Sequence, residues 1–256
     1  MKQVKTEAII LDTTDVFDAD RLFLLFTREL GKLRARAKGV RKPTSRLTGH
    51  LLEYLPTQLE LIESSGGFFL VVQAQVIGVS SQAGTYPADA IAFSRQAALL
   101  SEAINRLFTD LEPHPEVYDG LAYTLDRLRA LCESKETTTL AKLVAAEFLL
   151  KALVELGYRP ELRACLVTEQ PIQEEFVAWN SQLGGVLSKE GYEQSGRQGR
   201  IVAQPRAIVV LRQLAEPRFV AERLNVGADV EEEACQLIYD YLQTQIGQPL
   251  RSLVGG

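Results

Sequence analysis

Between Lys32 and Lys38 cations and apolar residues alternate one for one: Leu33, Ala35 and Ala37 fall on one parity, Lys32, Arg34, Arg36 and Lys38 on the other. Period two puts successive side chains on opposite faces of a strand, whereas a helix would scatter both sets around its axis. The segment therefore reads as a strand with an apolar face for a core and a cationic face for solvent. Its cations stand roughly 7 Å apart along the strand. Val4 to Leu11 and Leu22 to Thr27 are also rich in strand-forming residues, and Asp12 to Asp20 between them has the polar, acidic look of a loop. Leu51 to Glu63 and Phe68 to Gly78 follow, joined by Ser64-Ser65-Gly66-Gly67, a hairpin signal.

About five short strands in the first eighty residues suit a small barrel of the OB type. The texture changes near Gln82 to Pro87, where Gly84 and Pro87 mark a boundary. Beyond it the apolar spacing is helical. Helices are predicted over Ala88–Phe108, over Glu116–Cys132 after Pro113-His114-Pro115, and over Thr138–Leu156. The last carries Leu140, Val144, Phe148 and Leu149 on one face and is closed by Gly157. Gln204–Leu214 and Val230–Ile246 complete the set, with Pro249 placed to stop the last. Residues 158–200 hold Cys165, the sole tryptophan Trp179 and several glycines without a long period, and read as a small β-containing insert. The predicted class is α+β: an OB-fold β-barrel domain over residues 1–80, then a mainly α-helical domain over 81–256.

The three cysteines, Cys132, Cys165 and Cys235, lie far apart in sequence, so neither a disulfide framework nor a CxxC redox motif is present. The first apolar run, Ala8 to Leu11, is too short for a signal-peptide core, and no apolar stretch reaches membrane-spanning length. The expectation is a soluble, cytoplasmic protein. The chain carries a net charge of −5, yet Arg28 to Arg46 holds eight basic residues against Glu29 alone, +7 in one stretch and −12 in the rest. Such asymmetry concentrates positive potential on one patch.

The candidate nucleic-acid contacts are Arg28, Lys32, Arg34, Arg36, Lys38, Arg41, Lys42 and Arg46. Gly39, Pro43, Thr44 and Ser45 make the second half of the segment a loop. Guanidinium groups chelate phosphate oxygens, ammonium groups add point charge, and phosphate contacts bring affinity without sequence preference. The competing reading is a merely solvated face, but solvated faces usually mix both signs. Among aromatics, Phe68 and Phe69 or Phe23 and Phe26 could stack on bases, although one of each pair is expected in the barrel core. His50 and His114 lack catalytic company, and no HExxH, GxSxG or P-loop pattern occurs. The expectation is a protein without enzymatic activity, cofactor or small-molecule substrate.

With these residues in view, the N-terminal half resembles the RecO family of recombination mediators. The matching run is Thr6-Glu-Ala-Ile-Ile-Leu, then Asp18-Ala-Asp-Arg-Leu-Phe-Leu-Leu-Phe-Thr-Arg-Glu-Leu-Gly-Lys-Leu, then Arg34-Ala-Arg-Ala-Lys-Gly-Val-Arg-Lys-Pro-Thr-Ser-Arg. Beyond residue 80 the likeness is one of layout, down to a final Gly247-Gln-Pro-Leu-Arg-Ser. The resemblance implies binding of single- and double-stranded DNA, annealing of complementary strands, and partnership with RecR and single-stranded-DNA-binding protein in loading RecA. An RNA-binding OB-fold protein, or a non-enzymatic adaptor that docks an acidic protein tail, would suit the basic segment alone. The resemblance also implies a C-x2-C … C-x2-C zinc knuckle in the insert of many members. Here Cys165 stands at the first ligand place, but Thr168, Ser188 and Gly191 occupy the others, so the knuckle is degenerate and no zinc is expected. Packing through Phe176 and Trp179 is expected to hold it instead.

Overall fold

The computed structural model describes residues 2–64, 68–77, 87–134, 138–172 and 176–254. Five strands open the chain: β1 (Gln3–Val16), β2 (Asp20–Thr27), β3 (Gly31–Ala37), β4 (Pro56–Glu63) and β5 (Phe69–Val76). They close in the order β1-β2-β3-β5-β4, with β4 returning antiparallel to β1. β3 and β5 meet in parallel at Ala35↔Phe69 and Arg36↔Leu70. This five-stranded closure is that of the OB type. Leu33, Ala35 and Ala37 point into the barrel with Ala8, Ile10, Phe23, Leu25, Leu59, Leu61, Phe69 and Val71, as the alternation requires.

Two strand boundaries differ from the sequence expectation. Asp12 to Val16 is not loop but the outer half of β1, paired with β2 from Asp12↔Leu24 to Val16↔Asp20 beyond a bulge between Ile10 and Asp12. The turn is only Phe17 to Ala19. The acidic residues misled because polarity reports exposure, not lost pairing: Asp12 Oδ1 accepts the Thr13 N–H at 2.8 Å, and Asp15 is bound by Arg21 across the ladder. Residues 51–55 precede β4, which begins at Pro56, where a strand tolerates a proline. The expected turn at 64–67 falls largely on 65–67, and the expected boundary largely on 82–86, both outside the described residues. The strands flanking the first are antiparallel, down to Glu63↔Phe69.

The helices are α1 (Ala90–Leu107), α2 (Pro115–Ser134), α3 (Thr138–Glu155), α4 (Lys189–Gln194), α5 (Arg206–Leu214), α6 (Ala228–Ile246) and α7 (Arg251–Val254). Asp89 caps α1 by accepting the Ala92 N–H at 2.9 Å, and α2 starts on Pro115, whose missing N–H costs nothing at a first helical position. α6 ends at Gly247, two residues before the proline expected to stop it. The chain forms two compact units, one running through Glu133 and one from Ser134 on. The first unit thus combines the barrel with α1 and α2, although the sequence texture changes earlier.

Within that first unit both faces of the barrel wall are used. Ile9, on the opposite face from Ala8 and Ile10, is fully buried, and α1 packs on β1. Phe26 turns outward into Phe108 and Tyr118, with ring centroids at 5.6 and 6.4 Å. Gly31 at the start of β3 has φ +73°, and a Cβ there would lie 2.1 Å from the Glu112 carbonyl oxygen, so no other residue fits.

In the second unit α3 is apolar nearly all round and packs against α5 and α6. The insert is a three-stranded sheet of β6 (Ala178–Asn180), β7 (Gly185–Leu187) and β8 (Arg200–Ile201), ordered β7-β6-β8, plus the short α4. Cys165, Ala178 and Leu187 form its core, with Leu166, Ile172, Phe176 and Tyr192 packed around them. Phe176 meets Tyr192 at 5.9 Å, whereas Trp179 packs on Tyr241 of α6 at 5.7 Å, tying insert to helix rather than filling the insert. Cys165, Thr168, Ser188 and Gly191 lie near one another. The Thr168 N–H points at Cys165 Sγ at 3.5 Å, and the Gly191 N–H donates to Ser188 Oγ at 3.1 Å. A Cβ on Gly191 would lie 2.3 Å from the Cys165 sulfur. One thiol, two hydroxyls and a glycine are not a zinc donor set, and among the described residues no cluster of three His, Cys, Asp or Glu could hold a metal.

Candidate nucleic-acid interface

The eight cations of the basic segment have three fates. Those at its start are tied to the helices of the first unit. Arg28 lies in the β2–β3 turn and grips Asp119 of α2 through two parallel bonds, Nε to Oδ1 at 2.9 Å and Nη2 to Oδ2 at 3.0 Å. That bidentate pair raises the Arg28 guanidinium above its ordinary range and lowers the Asp119 carboxyl below its own. Lys32 is only 7 % exposed. Its Nζ donates to the Asn105 carbonyl at 2.6 Å, near the C-terminal end of α1, and sits 3.2 Å from Asp110. A cation there satisfies a carbonyl that the helix itself leaves open. The expectation of an evenly exposed row therefore fails at Lys32, because residues 105–110 cover that end of the strand.

Arg36 and Arg41 are held by the acidic residues of the β1–β2 hairpin. Asp20 accepts the Arg36 Nε at 2.7 Å, bonds to its Nη2 as well, and accepts the Gly39 N–H at 2.7 Å. The Gly39 bond, then Arg36, then the nearby Lys38 charge hold the Asp20 carboxyl below its usual range. Asp15 is bound by Arg21 at 2.7 Å and lies 3.3 Å from Arg41; the Arg21 bond is the main reason its carboxyl is also lowered. The Arg41 N–H donates to the Ala19 carbonyl at 3.0 Å, so the loop after β3 is fastened to the β1–β2 turn through its backbone too.

Arg34, Lys38, Lys42 and Arg46 are exposed and form no ion pair among the described residues. Arg34 lies on β3, and the loop that carries the other three is held by its own backbone bonds. Lys42 N–H bonds to the Gly39 carbonyl and Ser45 N–H to the Lys42 carbonyl, at 3.1 and 2.9 Å. Thr48 Oγ1 donates to the Val40 carbonyl at 2.6 Å, and Val40 is buried in the barrel core. These four side chains thus project from a fixed backbone at the exposed end of the segment. Such a surface can neutralise several phosphates of one strand at once.

The aromatics sort less evenly. Phe23 and Phe69 line the barrel, Phe26 is buried under Phe108 and Tyr118, and Phe68 is exposed. His50 is exposed, and the His114 ring packs on Phe108 at 4.9 Å. The aromatic beside the basic loop is Phe17, at the tip of the β1–β2 hairpin, 75 % exposed and at φ +54°. The Arg36 guanidinium lies 4.5 Å from its ring centroid. Sequence reasoning missed it because the acidic stretch around it was read as a loop of polar residues; a lone phenylalanine at that tip was the available signal.

A closed OB-type barrel with a cationic loop beside the β1–β2 turn, carried by a chain whose remainder is mainly helical, defines a barrel-and-helix class of protein. Residues 1–78 match the family model for the N-terminal part of recombination protein O, and residues 96–253 that for its C-terminal part. The chain belongs to the recombination protein O (RecO) family. It is 31 % identical to the DNA repair protein RecO of Heliobacterium modesticaldum over 258 residues, covering 98 % of this chain and 88 % of that one. It is 27 % identical to the DNA repair protein RecO of Bifidobacterium adolescentis, covering 99 % and 98 %, and 25 % identical to that of Caldanaerobacter subterraneus, covering 98 % and 96 %.

Proposed function

We propose that this chain is a DNA repair and recombination mediator that works by binding rather than by catalysis. It binds single- and double-stranded DNA through Arg34, Lys38, Lys42 and Arg46, with Arg36 and Arg41 as reserves held by Asp20 and Asp15. Neutralising phosphates lets complementary strands approach and anneal. With RecR it helps load RecA on DNA coated by single-stranded-DNA-binding protein, in the cytoplasm at the nucleoid. Arg28 and Lys32 take no part in contact with DNA; they join the barrel to its helices. Family membership supports the repair role, and one observation carries the binding surface: four exposed cations without an ion pair among the described residues, on β3 and the loop after it, in an otherwise acidic chain. Among the described residues no helix is long and apolar enough to cross a membrane.

The test is an annealing and binding assay on the wild type and on the variant R34A/K38A/K42A/R46A. If the four cations neutralise about four phosphates, log K for single strands falls against log salt with a slope near −3, which the variant loses. Affinity then drops about a hundredfold at 0.1 M salt, alike on all sequences. A wild-type slope near zero overturns the proposal. Preference for RNA over DNA of the same sequence would point to an RNA-binding protein, and retained binding of acidic peptides without nucleic acid to an adaptor.

A further inference from the structure

We propose that Phe17 is a stacking platform for a base of single-stranded nucleic acid, set beside the phosphate-binding loop. The inference rests on the proposed reading of that loop. Phe17 sits where a protein has least reason to place it. The residue is three-quarters exposed, and its backbone is left-handed, a conformation that turns normally give to Gly, Asn or Asp. An exposed ring gains nothing from the core, so burial does not explain the residue.

The surroundings do explain it. The Arg36 guanidinium covers one face of the ring at 4.5 Å, and Asp20 holds that guanidinium in place. Asp20 also accepts the Gly39 N–H, and Ala19, two residues from Phe17, accepts the Arg41 N–H. The ring is thus braced from behind, its other face is left to solvent, and its backbone is pinned to the loop that carries Lys38 and Lys42. A braced aromatic loses little freedom when a base stacks on it. Bases of every kind have a π face, so stacking adds affinity without sequence preference, and only where bases are unpaired. In barrels of this type the β1–β2 loop borders the surface used for oligonucleotides. The expected ligand is therefore a single strand whose phosphates follow the cations while one base rests on Phe17.

The test measures binding of oligothymidylate, and of an abasic strand of equal length and charge, to the full chain. Phe17→Ala should weaken thymidylate binding about five- to a hundredfold and leave the abasic strand and the salt slope unchanged. Phe17→Trp should keep thymidylate affinity, with its fluorescence quenched by thymidylate and not by the abasic strand; the native Trp179 is buried and serves as a silent background. Phe17→Gly should melt no lower than wild type, since glycine accepts the left-handed turn, and should still lose thymidylate affinity, which separates binding from folding. Equal loss on both strands would show that Phe17 only positions Arg36 and would overturn the stacking role. No loss on either, with the four-alanine variant still defective, would overturn stacking and leave the phosphate reading intact. A wild type that binds neither strand would remove the phosphate reading, and the stacking role with it.

Discussion

The start and the end of the basic segment carry the same charge and look alike as sequence, yet the structure uses them in opposite ways. Arg28 and Lys32 are turned back onto α2 and the end of α1, where each meets a carboxylate and Lys32 also meets a helix carbonyl. Arg34, Lys38, Lys42 and Arg46 have no such partner among the described residues. The lesson is that a run of like charge fixes the sign of a surface but not its reach. Reach is decided by what the rest of the chain lays over each residue. One part of the segment fastens helices to the barrel, and another is left exposed.

The comparison can be broken most sharply by treating the two halves separately. The four-alanine variant of the free end should keep the stability of the wild type to within about 0.5 kcal/mol, as exposed, unpaired side chains do, while losing about a hundredfold in DNA affinity. Lys32→Ala should do the reverse. It removes a buried charged donor from a helix carbonyl, so unfolding in urea should shift by about 2 kcal/mol with the salt slope of binding unchanged. A Lys32→Ala protein of normal stability that binds DNA poorly would mean that the two ends had been assigned the wrong way round. Arg28→Ala and Asp119→Ala should each lower stability less than Lys32→Ala, because that pair is half exposed. The double variant should be no worse than either single change, since both remove one shared contact.

Much of the barrel was legible because its information is local. Leu33, Ala35 and Ala37 declare the inner face of β3 by parity alone, and all three are in the core. Lys32 shares the outer parity with Arg34 and Arg36, and nothing near it in sequence says that it is covered. Its cover comes from Asn105 and Asp110, more than seventy residues later, just as the partner of Arg28 comes 91 residues later. The pairs of Arg36 and Arg41 were within reach, since Asp15 and Asp20 lie about twenty residues upstream on the neighbouring hairpin. Reading those aspartates as loop concealed both the pairs and the exposed ring between them. In the insert, Cys165 stands with Thr168, Ser188 and Gly191, and those residue types, plain in the sequence, are not a zinc donor set. That Trp179 would leave the insert core for Tyr241 depended on a helix sixty residues away, and no pattern within the insert announces it.

Arg36 belongs to neither end, and Asp20 is what keeps it from the free one. Asp20→Asn should cancel that hold and release one further cation toward the strand, raising single-strand affinity about three- to fivefold at 0.15 M salt, as one more neutralised phosphate would. It should also speed amide exchange at Gly39, whose N–H loses its carboxylate acceptor. Acid should reproduce the effect in the wild type, with a sign set by the direction of the shift. The folded Asp20 carboxyl lies below its ordinary value, so the stability it contributes is fully present above the unfolded value, near 4, and is lost as pH falls through the lower, folded value. Between pH 5 and 8 the Gly39 amide should therefore exchange with no contribution from Asp20 titration, and its protection should fall only in more acidic solution. In Asp20→Asn that acid step should be absent. If Asp20→Asn instead weakened DNA binding, the ordered loop would matter more than the freed charge, and Arg36 would belong with Arg28 and Lys32 among the residues that build the surface rather than touch the strand.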